Sequence, residues 1–209
     1  QDSCLRHSMA SALTAMGFMS EAKVVAVDAS LVGCKVSLVP RAAALIQKVF
    51  SKSNLAMKKL HNHACSVKEI ANEDASWPVI LIIQTSDGSH GTHAVTTWNQ
   101  MIFDSNCVHP LRWSQRALDW CSGKDSTCVG FSRAYRICPA NYGEKLPESA
   151  ITVGSQVRSL DYDSLGWIMR GPSKKRKGYH VRHTNGQTQA MSKEEVERFL
   201  APRMQVGYF

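Results

Sequence analysis

The sequence predicts an α+β fold, and three observations carry that prediction. Apolar residues in the first stretch repeat with a helical period. A continuous apolar run and alternating segments follow from residue 78 onward. The last 60 or so residues break into short strands around an Asn-Gly turn.

Leu5, Met9, Ala12, Leu13 and Met16 fall on one stripe, so residues 4–16 read as a helix, with Gly17 at its C′ position. "VPRAAALIQKVFSKSN" (39–54) reads as a second helix, with Pro40 in its first turn. "CSVKEIAN" (65–72) reads as a short third, Ser66 and Glu69 forming a capping box. "PVILIIQ" (78–84) is apolar throughout, as a central strand is. "THAVTTW" (92–98) and "MIFDSN" (101–106) form a hairpin about Asn99-Gln100. A helical patch (114–121) and a strand (126–138) complete this part.

"PANYGEKLPESA" (139–150), with two Pro and one Gly, reads as a linker. It divides the chain into domains at 1–142 and 150–209. The second contains strands at 153–160, 165–170, 178–183 and 187–191, with Asn185-Gly186 as a hairpin turn. A helix at 192–200 closes it, with Ser192 and Glu195 as a capping box.

The chain has 209 residues and a net charge of +8. Residues 151–209 hold ten Lys or Arg against five Asp or Glu, so most of the excess lies there. Such a tail points to an acidic partner, with nucleic acid or chromatin as the expectation. Its longest apolar run, "WPVILII" (77–83), is too short to cross a bilayer, and no membrane contact is expected. The first residue is Gln rather than Met, which reads as processing or a fragment. Seven cysteines in an odd, irregular arrangement without a CxxC pair argue against a disulfide framework. A reducing compartment, cytoplasmic or nuclear, is therefore expected.

Chemistry centres on Cys4. At a helix start, backbone N–H groups and the helix dipole favour a thiolate. Cys4 also lies off the apolar stripe. A nucleophilic thiol needs a base, and the base needs an orienting group. If Trp98 pairs with Met101, paired residue numbers sum to about 199, and His93, Asp104 and Asn106 share one face. His93 is then the base, with Asp104 or Asn106 as its orienter. His7 is a rival on the Cys4 face, but a first-turn pair leaves little room for a substrate carbonyl. His61, His63 and Cys65 alternate in "HNHAC" without a fourth ligand nearby, so a loop is expected rather than a metal site. No cofactor is expected.

"QDSCLRHSMASAL" with "HAVTTWNQMIFDSN" resembles the papain-like cysteine peptidase superfamily. The polar lead-in to "CL" resembles OTU deubiquitinases. Cys-x-x-His followed by His, two strands and Asn resembles Josephin deubiquitinases. The resemblance implies a thiol hydrolase: Cys4 as nucleophile, His93 as general base, Asp104 or Asn106 as orienter. It implies a protein substrate, a ubiquitin-like conjugate or a polyprotein. It also implies an oxyanion-hole Gln. Gln1 lies closer to the cysteine than is usual in the family, and backbone N–H groups near Cys4 are the alternative.

"VGSQV…GWIMR…YHVRHTNGQTQAMSKEEVERFL" resembles SH3-like barrels of the Tudor and chromo kind. The resemblance implies a binding module. Tyr162, Trp167 and Tyr179 are candidates for a cation cage, or alternatively for a small core. Lys174, Lys175, Arg176 and Lys177 are candidates for phosphate contact.

Overall fold

The structure, a computed structural model, describes residues 4–28, 44, 54–73, 75–88, 90–146, 151–158 and 164–200. The helix expected at 39–54 lies outside these residues, apart from Ala44 and Asn54, as do Gln1, Cys34 and Tyr162. The architecture is mixed α+β. Among the described residues there are five helices and two antiparallel sheets.

Helix α1 (Cys4–Ala15) buries Leu5, Met9, Ala12 and Leu13 along the expected stripe. It ends in a Schellman motif. The Phe18 N–H donates to the Leu13 carbonyl at 2.8 Å, and the Gly17 N–H donates to Thr14 at 2.9 Å. Gly17 takes φ +77°, the left-handed turn that this ending requires. Helix α2 (Met19–Val27) follows at once. Its apolar residues fall on more than one side, with Val24 and Val27 exposed, so no stripe announces it.

The first sheet has six strands: β1 (Leu55–Lys59), β2 (Val79–Thr85), β3 (His90–Trp98), β4 (Met101–Phe103), β5 (Leu111–Arg112) and β6 (Cys128–Pro139). Their order is β1-β6-β2-β3-β4-β5. Strand β2 is central, and both of its faces are covered. Ile80 and Ile82 join a core with α1 and α2, while Val79, Leu81 and Ile83 join a core on the other face. That is why its sequence is apolar without alternation. Helices α3 (Val67–Ala71) and α4 (Gln115–Ser122) supply Ile70, Leu118 and Cys121 to the second core. The capping box of Ser66 and Glu69 is present at α3.

The hairpin β3–β4 has the expected register, with Trp98 opposite Met101 and Thr96 opposite Phe103. Asn99 and Gln100 both take positive φ, 50° and 60°, as a primed two-residue turn demands.

The second sheet contains β7 (Gln156–Arg158), β8 (Leu165–Arg170), β9 (Tyr179–His183) and β10 (Thr188–Met191), in the order β10-β9-β8-β7. It is open, which corrects the expected closed barrel. Both faces of this sheet are covered, so closure is not needed to hide apolar surface. One face packs Ile168, Tyr179, Val181 and Met191 with Val196 of helix α5 (Lys193–Phe199). The other face sends Trp167 and Met169 into the core of α1 and α2.

The segments expected as domains 1–142 and 150–209 thus share a core. Trp167 lies between Trp77 (5.3 Å between ring centroids) and Trp98 (6.0 Å). Arg182 forks onto Glu21, with Nη1–Oε1 at 3.0 Å and Nη2–Oε2 at 3.2 Å. Its guanidinium carbon lies 4.2 Å from the centre of the Phe18 ring. A Cβ on Gly17 would stand 2.1 Å from the Thr184 carbonyl oxygen, so only glycine lets the α1 corner meet the β9–β10 turn.

Candidate functional site

The site begins with the hairpin. Its register carries the chain from β4 directly into Asp104, beside β3. The His93 Nε2 lies 3.0 Å from Asp104 Oδ2. The other carboxylate oxygen, Oδ1, accepts the Asn106 backbone N–H at 2.9 Å. Asp104 has no exposed side-chain surface and the His93 ring is 13% exposed, so little water screens the pair. Between Ile82 and Gln84 the pairing of β2 with β3 shifts, a bulge that interrupts β3 around His93. Bulges of this kind re-aim side chains at functional positions.

Cys121 of α4 is a neighbour that the sequence did not announce. Its thiol hydrogen-bonds Asp104. Burial, the Asp104 hydrogen bond and the Asp104 charge push this thiol far up, so it stays protonated. For Asp104, burial is the largest influence and opposes ionisation. The His93 hydrogen bond, the Asn106 N–H, the imidazole charge and Cys121 outweigh it, and the carboxyl lies below its usual range. No spacing rule links residues 104 and 121. Only the packing of α4 on the sheet joins them.

Between the two sequence candidates for orienter, the geometry favours Asp104 over Asn106. Asn106 is exposed and serves through its backbone. Since Nε2 faces the carboxylate, Nδ1 is the ring nitrogen left to accept a proton.

Cys4 differs from expectation in two respects. It lies off the apolar stripe, yet it is fully buried and belongs to the core of α1, α2 and Ala94. The helix start is roofed by protein, so position on the stripe does not decide burial there. It is also disulfide-bonded, which corrects the expectation of reduced cysteines throughout. The described cysteines 65, 107, 121, 128 and 138 are free, so the partner sulfur lies outside the described residues. Helix α1 is pinned on β3 by the Ser8 hydroxyl, which donates to the Ala94 carbonyl at 3.3 Å, one residue beyond His93. The structure therefore assembles His93, Asp104 and the Asn106 N–H, and pins α1 to the same strand at Ser8. The Cys4 sulfur is committed to its disulfide.

His7 is exposed and lines a groove of about 380 Å³ with Phe103, Asp104, Cys107 and His109. His61 pairs with Glu73 at 2.9 Å and His63 with Glu69 at 3.3 Å. Among the described residues no three His, Cys, Asp or Glu side chains gather as a metal site. Trp167 and Tyr179 are fully buried in the two cores, so neither offers a face to a cation. Lys174, Lys175 and Lys177 are exposed and Arg176 half-buried, all on the β8–β9 turn. No helix among the described residues is long and apolar enough to cross a membrane.

Comparison with protein families, curated proteins and solved structures returns no match for this chain.

Proposed function

We propose that the chain is a thiol hydrolase, a cysteine peptidase of papain-like arrangement acting on a protein substrate once the Cys4 disulfide is reduced. The observation that supports this most is the buried His93–Asp104 pair, 3.0 Å apart, on the strand against which α1 is pinned. In the reduced form His93 Nδ1 takes the Cys4 proton, and the thiolate attacks the substrate carbonyl. The imidazolium returns the proton to the leaving amine. Water, deprotonated by the same ring, then hydrolyses the thioester and frees the thiol. Asp104 holds the imidazole in one orientation and stabilises its charged form. Backbone N–H groups at the start of α1 are the donors available for the oxyanion. Ubiquitin-like conjugates and polyprotein junctions are the substrate classes that the motif resemblance implies. A cytoplasmic or nuclear site fits the five free cysteines and requires that the Cys4 disulfide be reduced there.

An electrophilic thiol probe tests the reading. After reduction the native chain should label at Cys4, with labelling abolished in Cys4→Ala and strongly reduced in His93→Ala. Equal labelling of every cysteine, or none at Cys4, would overturn it.

The Cys4 disulfide favours a second reading, in which the same fold serves as a binding protein and Cys4 is a structural staple. Reduction then costs stability and produces no hydrolysis.

A further inference from the structure

The β8–β9 hairpin carries a concentration of charge that its own fold does not use. From Ser164 to Ser192 the sequence contains no Asp or Glu, while Arg170, Lys174, Lys175, Arg176, Lys177 and Arg182 fall within it. Arg182 is spent on Glu21. None of the other five takes part in an ion pair among the described residues.

The backbone gathers these side chains. Ser173 and Arg176 exchange two hydrogen bonds, 2.8 and 2.9 Å, which closes a narrow tip with Lys174 and Lys175 at its apex. Arg170, at the end of β8, stands opposite His180 of β9. Burial first, then the positive charges of Arg176, Arg170 and Arg182, hold the His180 imidazole below its usual range. The charges of Arg170 and Arg176, neither of them in an ion pair among the described residues, thus act on one ring, whose buried Nδ1 has no hydrogen-bond partner. Like charges gathered without counter-charge repel each other, and a polyanion relieves that repulsion.

We propose that the β8–β9 hairpin is a docking surface for the phosphate backbone of duplex nucleic acid. The preference for duplex over single strand follows from the aromatic residues. Trp167 and Tyr179, the rings of these two strands, are buried, so no exposed ring is left there for base stacking. Five cations on one hairpin match a row of phosphates, whose affinity comes from counterion release.

The test is fluorescence anisotropy of the full chain with a labelled random-sequence duplex, titrated at several salt concentrations. Five phosphate contacts predict a log–log salt slope of roughly −4 to −5. The triple variant Lys174→Ala/Lys175→Ala/Lys177→Ala removes exposed side chains only, and circular dichroism checks that it folds. It should reduce the slope by about three and weaken binding to unrelated sequences equally. An unchanged slope in the variant overturns the proposal. So does equal competition by polyglutamate, which would make the partner an acidic protein, or stronger binding to phosphatidylserine vesicles than to duplex.

Discussion

His93 and Asp104 meet across one hairpin with Nε2 and Oδ2 3.0 Å apart, and the carboxylate of that pair has no exposed side-chain surface. A buried carboxylate stays ionised only where donors surround it. His93, the Asn106 N–H and Cys121 supply them.

Asp104→Asn keeps the shape and removes the charge. In the reduced chain, the pH profile of Cys4 alkylation reports whether the His93–Asp104 pair supports a thiolate. Asp104→Asn should move that profile upward and slow hydrolysis by about two orders of magnitude or more. Profiles that coincide would remove Asp104 from the mechanism.

The same carboxylate makes an acid-dependent contribution to folding. Its folded pKa lies below the unfolded value of about 3.9, so the stabilisation is present above that pH and is lost as the pH falls through the folded value. Denaturant titrations should show the native chain losing its advantage over Asp104→Asn below about pH 4. A gap that does not change with pH counts against the ionised, buried carboxylate.

Cys4 and its disulfide partner leave five of the seven cysteines free. Denatured without reductant, the chain should consume five equivalents of a thiol reagent, and seven after reduction. Cys65, Cys107, Cys121 and Cys128 all have thiols pushed up, chiefly by burial, and should alkylate slowly in the native state. Seven equivalents before reduction would show that the disulfide does not form.

Gly17 and Gly88 share a left-handed backbone, φ +77° and +79°, but only Gly17 faces an obstruction. Alanine at Gly88 should cost about 1 kcal/mol from backbone strain. Alanine at Gly17 adds the collision with Thr184, so its midpoint temperature should fall further, by roughly 5–10 °C in all. Calorimetry of both variants measures the difference. Equal midpoints would mean that the α1 corner and the β9–β10 turn do not touch.

Much of this fold is legible in local spacing. One assumed pair, Trp98 with Met101, yields the whole hairpin register, because strand pairing is periodic. Ser192 and Glu195 mark the start of α5 because a capping box is a four-residue motif. The parts that were missed are tertiary. "LAMKK" is too basic to read as a strand, yet β1 pairs along β6 from Leu55 to Lys59. Trp167 and Tyr179 read equally well as cage or core, because alternation along a strand names an apolar face and not what covers it. At the candidate site, His93 and Asp104 were readable because eleven residues of hairpin join them. The burial of Cys4 and the approach of Cys121 depend on helices arriving from elsewhere in the chain.

The placement of Trp167 between Trp77 and Trp98 also bears on how the chain comes apart. A side chain from the last 60 residues plugs a hole lined by the first 100, so one of the three cores is finished only when both parts are present. Trp167→Ala should cost about 3–5 kcal/mol and lower one melting transition, not split it into two. A protease cut within 143–150 should likewise leave a nicked molecule whose pieces co-elute, because what joins them is the interlock of their side chains and not the peptide between them.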